Sequence, residues 1–362
     1  MHEERIARTM ENLASLGISQ ALICDPLSVW YLTGYYVEPM ERFFALHLTQ
    51  RGSRTRTTLF CNELFPTAHG AAHELITFSD AQNPIALVAQ ACDHTLPLGI
   101  DKSMEARWLI PLMEAGACAS VRLASSAIDD ARSVKDQNEQ ELMRIASHLN
   151  DQGMEWLAAQ VHVGQTERGI AERLPRAYRE LGAEGNSFSP IISFGANAAD
   201  PHHEPDSTPF VKGDMVLFDV GCKYKWYCAD MTRTFFTKKP TSLQLKVYDT
   251  VRRANEAAEV MIRPGVSFSE IDHAARKVIE DAGYGPNFTH RLGHQIGLSV
   301  HEPGDVSAAN PDTVRPGQIF SVEPGIYIPD TIGVRIEDLV LVTQSGCEVL
   351  NHYTHEPVVL DV

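Results

Sequence analysis

The chain contains no run of about 18 consecutive apolar residues, so no segment reads as a membrane span. Its start, residues 1–17, is charged and amphipathic, without the apolar stretch and small-residue cleavage site of a secretory leader. Positive charge is scarce: 31 Lys and Arg face 47 Asp and Glu, a formal net charge of −16. Such a surface repels phosphate backbones and anionic lipids, which argues against a general nucleic-acid or anionic-membrane binder. The seven cysteines are scattered, form no CxxC, and have Cys222 and Cys228 as their closest pair. That usage reads as free thiols in a reducing cytoplasm and offers no thiolate zinc site. No GxxxxGK[ST] loop, no dinucleotide glycine fingerprint after a strand, no HExxH and no GxSxG occurs either.

What the chain does have is core-forming material. With 362 residues, 44% hydrophobic and 22% charged, it supports two domains with a sizeable interior. Residues 3–16 carry Ile6, Met10, Leu13 and Leu16 near a 3.6 period and predict a helix. ISQALICD (18–25), HELITFS (73–79), PLGID (97–101) and VRLASSA (121–127) read as strands, and 82–91 and 103–116 as helices. FFALHLTQ (43–50) and TRTTLFCN (55–62) read as a hairpin closed by the polar turn RGS (51–53). The aromatic stretch from Trp30 to Tyr36 is placed around a turn. These alternating signals predict a small α/β domain over 1–130, and the polar run 129–141 marks its boundary with a second domain, 131–362.

The second domain echoes itself. VHVGQTERGIAERLPRAYRELG (161–182) and IRPGVSFSEIDHAARKVIEDAG (262–283) align without a gap. Gly164 matches Gly265, Thr166 matches Ser267, Ile170 matches Ile271, and Gly182 matches Gly283. Thr166 and Ser267 predict N-caps, the second with Glu270 as a capping box. Each unit follows a longer helix, expected at 136–160 and 242–261, and precedes extended segments. Asn150, Asp151 and Gly153 weaken the middle of the first long helix, although its apolar stripe continues across them. Two duplicated halves would face one another across a cleft.

Four acidic residues stand in apolar, strand-like text: Asp219 in MVLFDVG, Asp230 in YCADMTRTFF, Glu323 in IFSVEPGIYI and Glu337 in GVRIEDLVLV. One buried carboxylate is explained by an ion pair or a turn cap. Four in separate strands of one domain repel one another unless cations lie among them, and a divalent cluster is the economical solution. HRLGHQIGLSVHEPG adds His290, His294 and His301, with Gly293 and Gly297 signalling close backbone approach. SFGANAADPHHEPD adds His202 and His203 in a Gly, Asn and Pro loop. Histidines so placed serve as proton donors or oxyanion stabilisers near pH 7. Carboxylates with one imidazole suit manganese, cobalt or zinc, with manganese favoured, and two such ions support hydrolysis.

The pieces FDVG (218–221), DMTRTF (230–235), GHQIGLSVHE (293–302), VEPGIYI (322–328) and GVRIED (333–338) resemble, in order, the pita-bread metallopeptidases of the prolidase and aminopeptidase P branch. The resemblance covers about residues 130–362, and reaches residues 1–130 chiefly through VWYLTGY (29–35). It implies an α+β fold, a duplicated pita-bread catalytic domain with a smaller N-terminal α/β domain, and a homodimer. It implies two divalent ions held by Asp219, Asp230, His294, Glu323 and Glu337, with Glu323 also moving the proton of the attacking water. His202 and His301 would contact substrate, Arg335 would orient carboxylates or touch substrate, and His290 would support the site from behind, with His203 unassigned. The implied reaction is hydrolysis of an Xaa-Pro bond, in dipeptides or as an aminopeptidase acting on longer peptides. A non-catalytic peptide-binding module is the reading from a different class.

Overall fold

The computed structural model describes residues 1–52, 54–66 and 68–362, and divides into two compact units, Met1–Arg132 and Ser133–Val362. Among the described residues, the first unit has helices α1 (Glu3–Ser15), α2 (Pro26–Thr33), α3 (Pro84–Ala91), α4 (Ala106–Glu114) and α5 (Ser125–Ser133, which runs one residue past the division). Its strands are β1 (Gln20–Ile23), β2 (Ala45–Arg51), β3 (Arg54–Asn62), β4 (Glu74–Phe78), β5 (Pro97–Ile100) and β6 (Ser120–Leu123). They form one mixed sheet in the order β4-β3-β2-β1-β5-β6. β2 and β3 pair antiparallel from Ala45↔Phe60 to Arg51↔Arg54, as the hairpin reading expected, while Ser53 of the turn lies outside the described residues.

Three local expectations are corrected. The stretch assigned to an aromatic turn is largely helix: Pro26 opens α2, Asp25 caps it through Ser28 N–H, and only Gly34, at φ 74°, makes the turn. Leu16 caps the end of α1 and is 40% exposed, so the buried stripe there is Ile6, Met10 and Leu13. VRLASSA is strand only to Leu123, and Ser125 onward belongs to α5, so the polar run at 129–141 is mostly helical, with Ala131, Ser133 and Lys135 buried.

The second unit shows the duplication as architecture. Its first half has α6 (Gln137–Gln160), α7 (Glu167–Ala171), α8 (Leu174–Leu181) and strands β7 (Gly185–Asn186), β8 (Ile191–Phe194), β9 (Met215–Val220), β10 (Cys222–Tyr224), β11 (Tyr227–Cys228) and β12 (Met231–Phe236). Its second half has α9 (Ser242–Met261), α10 (Phe268–Asp281) and strands β13 (Gly293–Gln295), β14 (Glu302–Val306), β15 (Ile319–Val322), β16 (Gly325–Ile328), β17 (Ile332–Arg335), β18 (Asp338–Val342) and β19 (Cys347–Val349). The sheets run β12-β9-β8, β11-β10-β7, β14-β13-β15-β18-β19 and β16-β17. Each half has its own apolar core, one beneath α6 and α8, the other beneath α9 and α10.

The repeated turns behave as matched parts. Ser267 and Glu270 complete the expected capping box, and Thr166 caps α7 through Gly169 N–H. Pro175 splits the first copy into α7 and α8 because it lacks the N–H a continuous helix needs, whereas α10 is unbroken. The polar residues in the middle of α6 are structural. Asn150, wholly buried, donates to the Val220 carbonyl (2.9 Å), and Asn255 of α9 donates likewise to Val322 (3.0 Å). Each long helix thereby grips the strand end that carries an acidic residue of the cleft.

Candidate metal centre

All ten side chains singled out in the second unit line one cleft of about 650 Å³. Strands deliver them. Asp219 lies one residue from the end of β9, Asp230 immediately before β12, His294 within β13, Glu323 immediately after β15, and Glu337 immediately before β18. Strand ends suit this task because ladder hydrogen bonds hold the backbone while the last side chains project from the sheet. Two glycines permit the crowding. A Cβ on Gly293 would fall 1.9 Å from the Ser321 carbonyl oxygen, and one on Gly333 would fall 1.6 Å from that of Ala198.

Ligand atoms of Asp230, His294 and Glu337 lie within 4.8 Å of one another. His294 Nε2 stands 3.5 Å from Glu323 Oε1 and 3.7 Å from Asp230 Oδ2. The other ring nitrogen, Nδ1, lies 3.2 Å from the Gln295 carbonyl, which only accepts, so Nδ1 carries the hydrogen. The Nε2 lone pair therefore faces two carboxylates, an arrangement that no hydrogen bond between these groups stabilises and a cation does. Asp219 Oδ1 and Asp230 Oδ1 are buried without a partner. Four carboxylates, one neutral imidazole and two orphaned oxygens form an oxygen-rich donor set that fits divalent ions of the manganese, cobalt or zinc kind.

The electrostatics agree. Burial, then repulsion from Glu337, Asp219 and Glu323, pushes the Asp230 carboxyl well above its ordinary range. Burial, then Glu323 and Asp219, does the same to Glu337. Burial lifts Glu323 to about 7, opposed by Arg335. Burial, with His301 adding to it, pulls His294 down to about 3, so its imidazole is neutral at physiological pH. Protons or metal cations must neutralise such a cluster, and cations reverse these shifts.

The groups behind the cluster hold it still. Thr232 Oγ1 donates to Glu337 Oε2 (2.6 Å), Ser321 Oγ to Glu323 Oε1 (3.2 Å), and Arg335 Nη2 to Asp219 Oδ2 (2.5 Å). Arg335 is 2% exposed and also donates from Nη1 to the Tyr327 hydroxyl (2.6 Å), which lies 3.0 Å from His290 Nε2. Arg335 thus joins Asp219 to the Tyr327 hydroxyl, which His290 also contacts. His202 and His301 are exposed to the cleft, the His301 ring centred 4.2 Å from that of His294. His203 lines the cleft too, with its Nε2 bonded to Glu167 Oε2 at 2.6 Å. Sequence reasoning missed Tyr327, Thr232 and Ser321. The first two stand inside motifs already singled out, VEPGIYI and DMTRTF, but only their contacts reveal their tasks.

Comparison with known proteins follows the same lines. The description "Metallopeptidase family M24" matches residues 141–344, and "Creatinase/Prolidase N-terminal domain" matches residues 5–134. A putative dipeptidase of Bacillus subtilis strain 168, YkvY, is 36% identical over 362 residues, 98% of this chain and 99% of that protein. A dipeptidase from Pyrococcus horikoshii OT3 superposes with a TM-score of 0.92 at 32% identity, covering 98% of this chain and 100% of the other. A prolidase from Thermococcus sibiricus gives 0.92 at 31% identity, covering 99% of each. Duplicated halves, a carboxylate-rich cleft and full-length similarity converge: the chain belongs to metallopeptidase family M24, with a creatinase/prolidase N-terminal domain ahead of a pita-bread domain.

Proposed function

We propose that this peptidase hydrolyses the Xaa-Pro bond of dipeptides, with manganese as its ion. The observation that carries the reading is the meeting of Asp219, Asp230, His294, Glu323 and Glu337 in one cleft with His202 and His301 beside them. When bound, the ions supply Lewis-acid polarisation of the scissile carbonyl and of water at neutral pH.

The chain's own residues do the rest. The four carboxylates and His294 Nε2 would hold the ions. Glu323 accepts the Ser321 hydroxyl at Oε1, which leaves Oε2 to take the proton of the attacking water and pass it to the departing proline nitrogen. His301 donates to the oxyanion as it forms, and His202 orients the peptide. Proline brings no N–H to the bond and a rigid ring. The apolar wall of Phe188, Pro190, Ile191 and Val300 suits that ring. The similarity to a dipeptidase and a prolidase over nearly the whole chain supports the dipeptide over longer substrates.

Paired assays with Ala-Pro and Ala-Pro-Ala, before and after chelation and with manganese restored, test this. Manganese-dependent release of proline from Ala-Pro, with Ala-Pro-Ala cleaved poorly, is expected. Preference for the tripeptide would make the chain an aminopeptidase. No hydrolysis of either with manganese present would leave a peptide-binding module.

A further inference from the structure

His202 reaches the cleft from a loop, residues 195–206, whose regular structure is one 3-10 turn at Gly195–Ala199. A loop of this kind does not hold a side chain to the accuracy that proton chemistry requires unless it is anchored. The anchor lies behind it. Glu167, at the start of α7, is 0% exposed. Its Oε1 accepts the Phe194 N–H (2.7 Å) and Asn197 Nδ2 (3.0 Å), and its Oε2 accepts His203 Nε2 (2.6 Å) and the Asp206 N–H (3.2 Å). One donor is the last residue of β8, and the other three are spread along the loop. From the cleft side, Arg335 Nη1 donates to the Pro201 carbonyl (3.4 Å), and Gly333 lets the backbone pack against Ala198.

Glu167, His203 and Asp206 also bring together atoms of the kind that hold a metal ion. Here both Glu167 oxygens are already occupied by hydrogen-bond donors, so the carboxylate's work is mechanical. His203 sits next to His202 in sequence, and its Nε2 bonds this anchor.

We propose that Glu167 and His203 are positioning residues: the buried carboxylate clamps the 195–206 loop through His203 so that His202 faces the substrate. The proposal rests on the reading above in which His202 contacts the peptide.

A double-mutant cycle on the full, manganese-loaded chain tests it, using His203→Ala, His202→Ala and the pair, with Glu167→Gln as a second, size-conserving variant. Hydrolysis of Ala-Pro gives kcat and KM, and titration with manganese alone gives metal affinity. His203→Ala and Glu167→Gln should each lower kcat/KM by about 10- to 100-fold, with manganese affinity unchanged. Placed on His202→Ala, His203→Ala should cost less than about twofold, because the group it positions is already gone. An equal fold loss in both backgrounds, or no loss in either, overturns the clamp. Wild-type kinetics in His202→Ala would overturn the role of His202, and with it this proposal. Limited proteolysis on the amino side of exposed Asp200 reads the loop independently of any activity. Faster cutting in His203→Ala than in wild type supports the clamp even if Ala-Pro proves not to be the substrate, and equal rates refute it.

Discussion

Replacing Lys135 with methionine would remove the cation of a buried ion pair in the second unit. The Lys135 and Glu302 side chains are 1% and 4% exposed, and Nζ lies 3.1 Å from Oε2. Nζ also donates to the Ser133 carbonyl (3.3 Å), while Glu302 Oε1 accepts the N–H groups of Leu298 (3.1 Å) and Ser299 (3.5 Å). Methionine keeps most of the apolar stem and removes the cation. Deleting one partner of a buried pair costs about 3–5 kcal/mol because the other charge remains desolvated. The backbone donors still serving Glu302 place this case at the lower end, about 3 kcal/mol. For a unit of this size each kcal/mol moves the melting temperature by about 2–4 °C, so calorimetry on the full chain should read a fall of about 6–12 °C. Added salt should not mask the loss, since the pair is shielded from solvent ions. The double variant Lys135→Met, Glu302→Gln removes both charges of the pair and should be more stable than the single variant. A single-variant loss below about 1 kcal/mol, the behaviour of an exposed pair, would refute the reasoning. So would a double variant no more stable than the single one.

Other perturbations follow from the same geometry. Gly333→Ala would drive a Cβ into the Ala198 carbonyl, displace the His202 loop, and lower kcat/KM on Ala-Pro by about 100-fold. Glu323→Ala should abolish turnover, and near-normal rates would contradict its assigned proton transfer. His301→Ala should lower kcat more than it raises KM, as loss of a donor to the oxyanion requires. In the first unit, His47 is 1% exposed, its Nε2 has no partner, and burial, with Arg51 adding to it, lowers it to about 4. The unfolded chain takes up that proton at about pH 6.5 and the folded chain does not, so this contribution is intact above pH 6.5 and falls away toward pH 4. The loss amounts to about 3 kcal/mol, and His47→Phe should flatten the stability profile in urea titrations across that range.

Much of the cleft was legible because strands announce themselves locally. An acidic residue inside MVLFDVG or IFSVEPGIYI violates the apolar pattern of a buried strand, and that violation is visible without coordinates. The repeat, its caps and its closing glycines were legible for the same reason, since caps and turns are chemistry among near neighbours. Asn150 and Gly153 look like helix breakers, yet the helix expected across them is continuous from Gln137 to Gln160. Asn150 in fact bonds Val220 across the half, and Gly153 makes room for the Tyr178 ring. The aromatic stretch at 30–36 misled because its aromatics around Gly34 read as a turn, whereas Pro26 opens a helix that runs to Thr33.

The sequence by itself determined which segments bury apolar surface, that two related halves exist, and which carboxylates and imidazoles have no business in an apolar interior. Tertiary structure alone decided which of them share a site and what holds each in place. Arg335 finds Asp219 across 116 positions and Lys135 finds Glu302 across 167, while Glu167 reaches a loop about 30 residues away. A hydrophobic period reports the face a residue turns to the core. The partner it meets there depends on how separate strands and helices stack, and no local pattern encodes that.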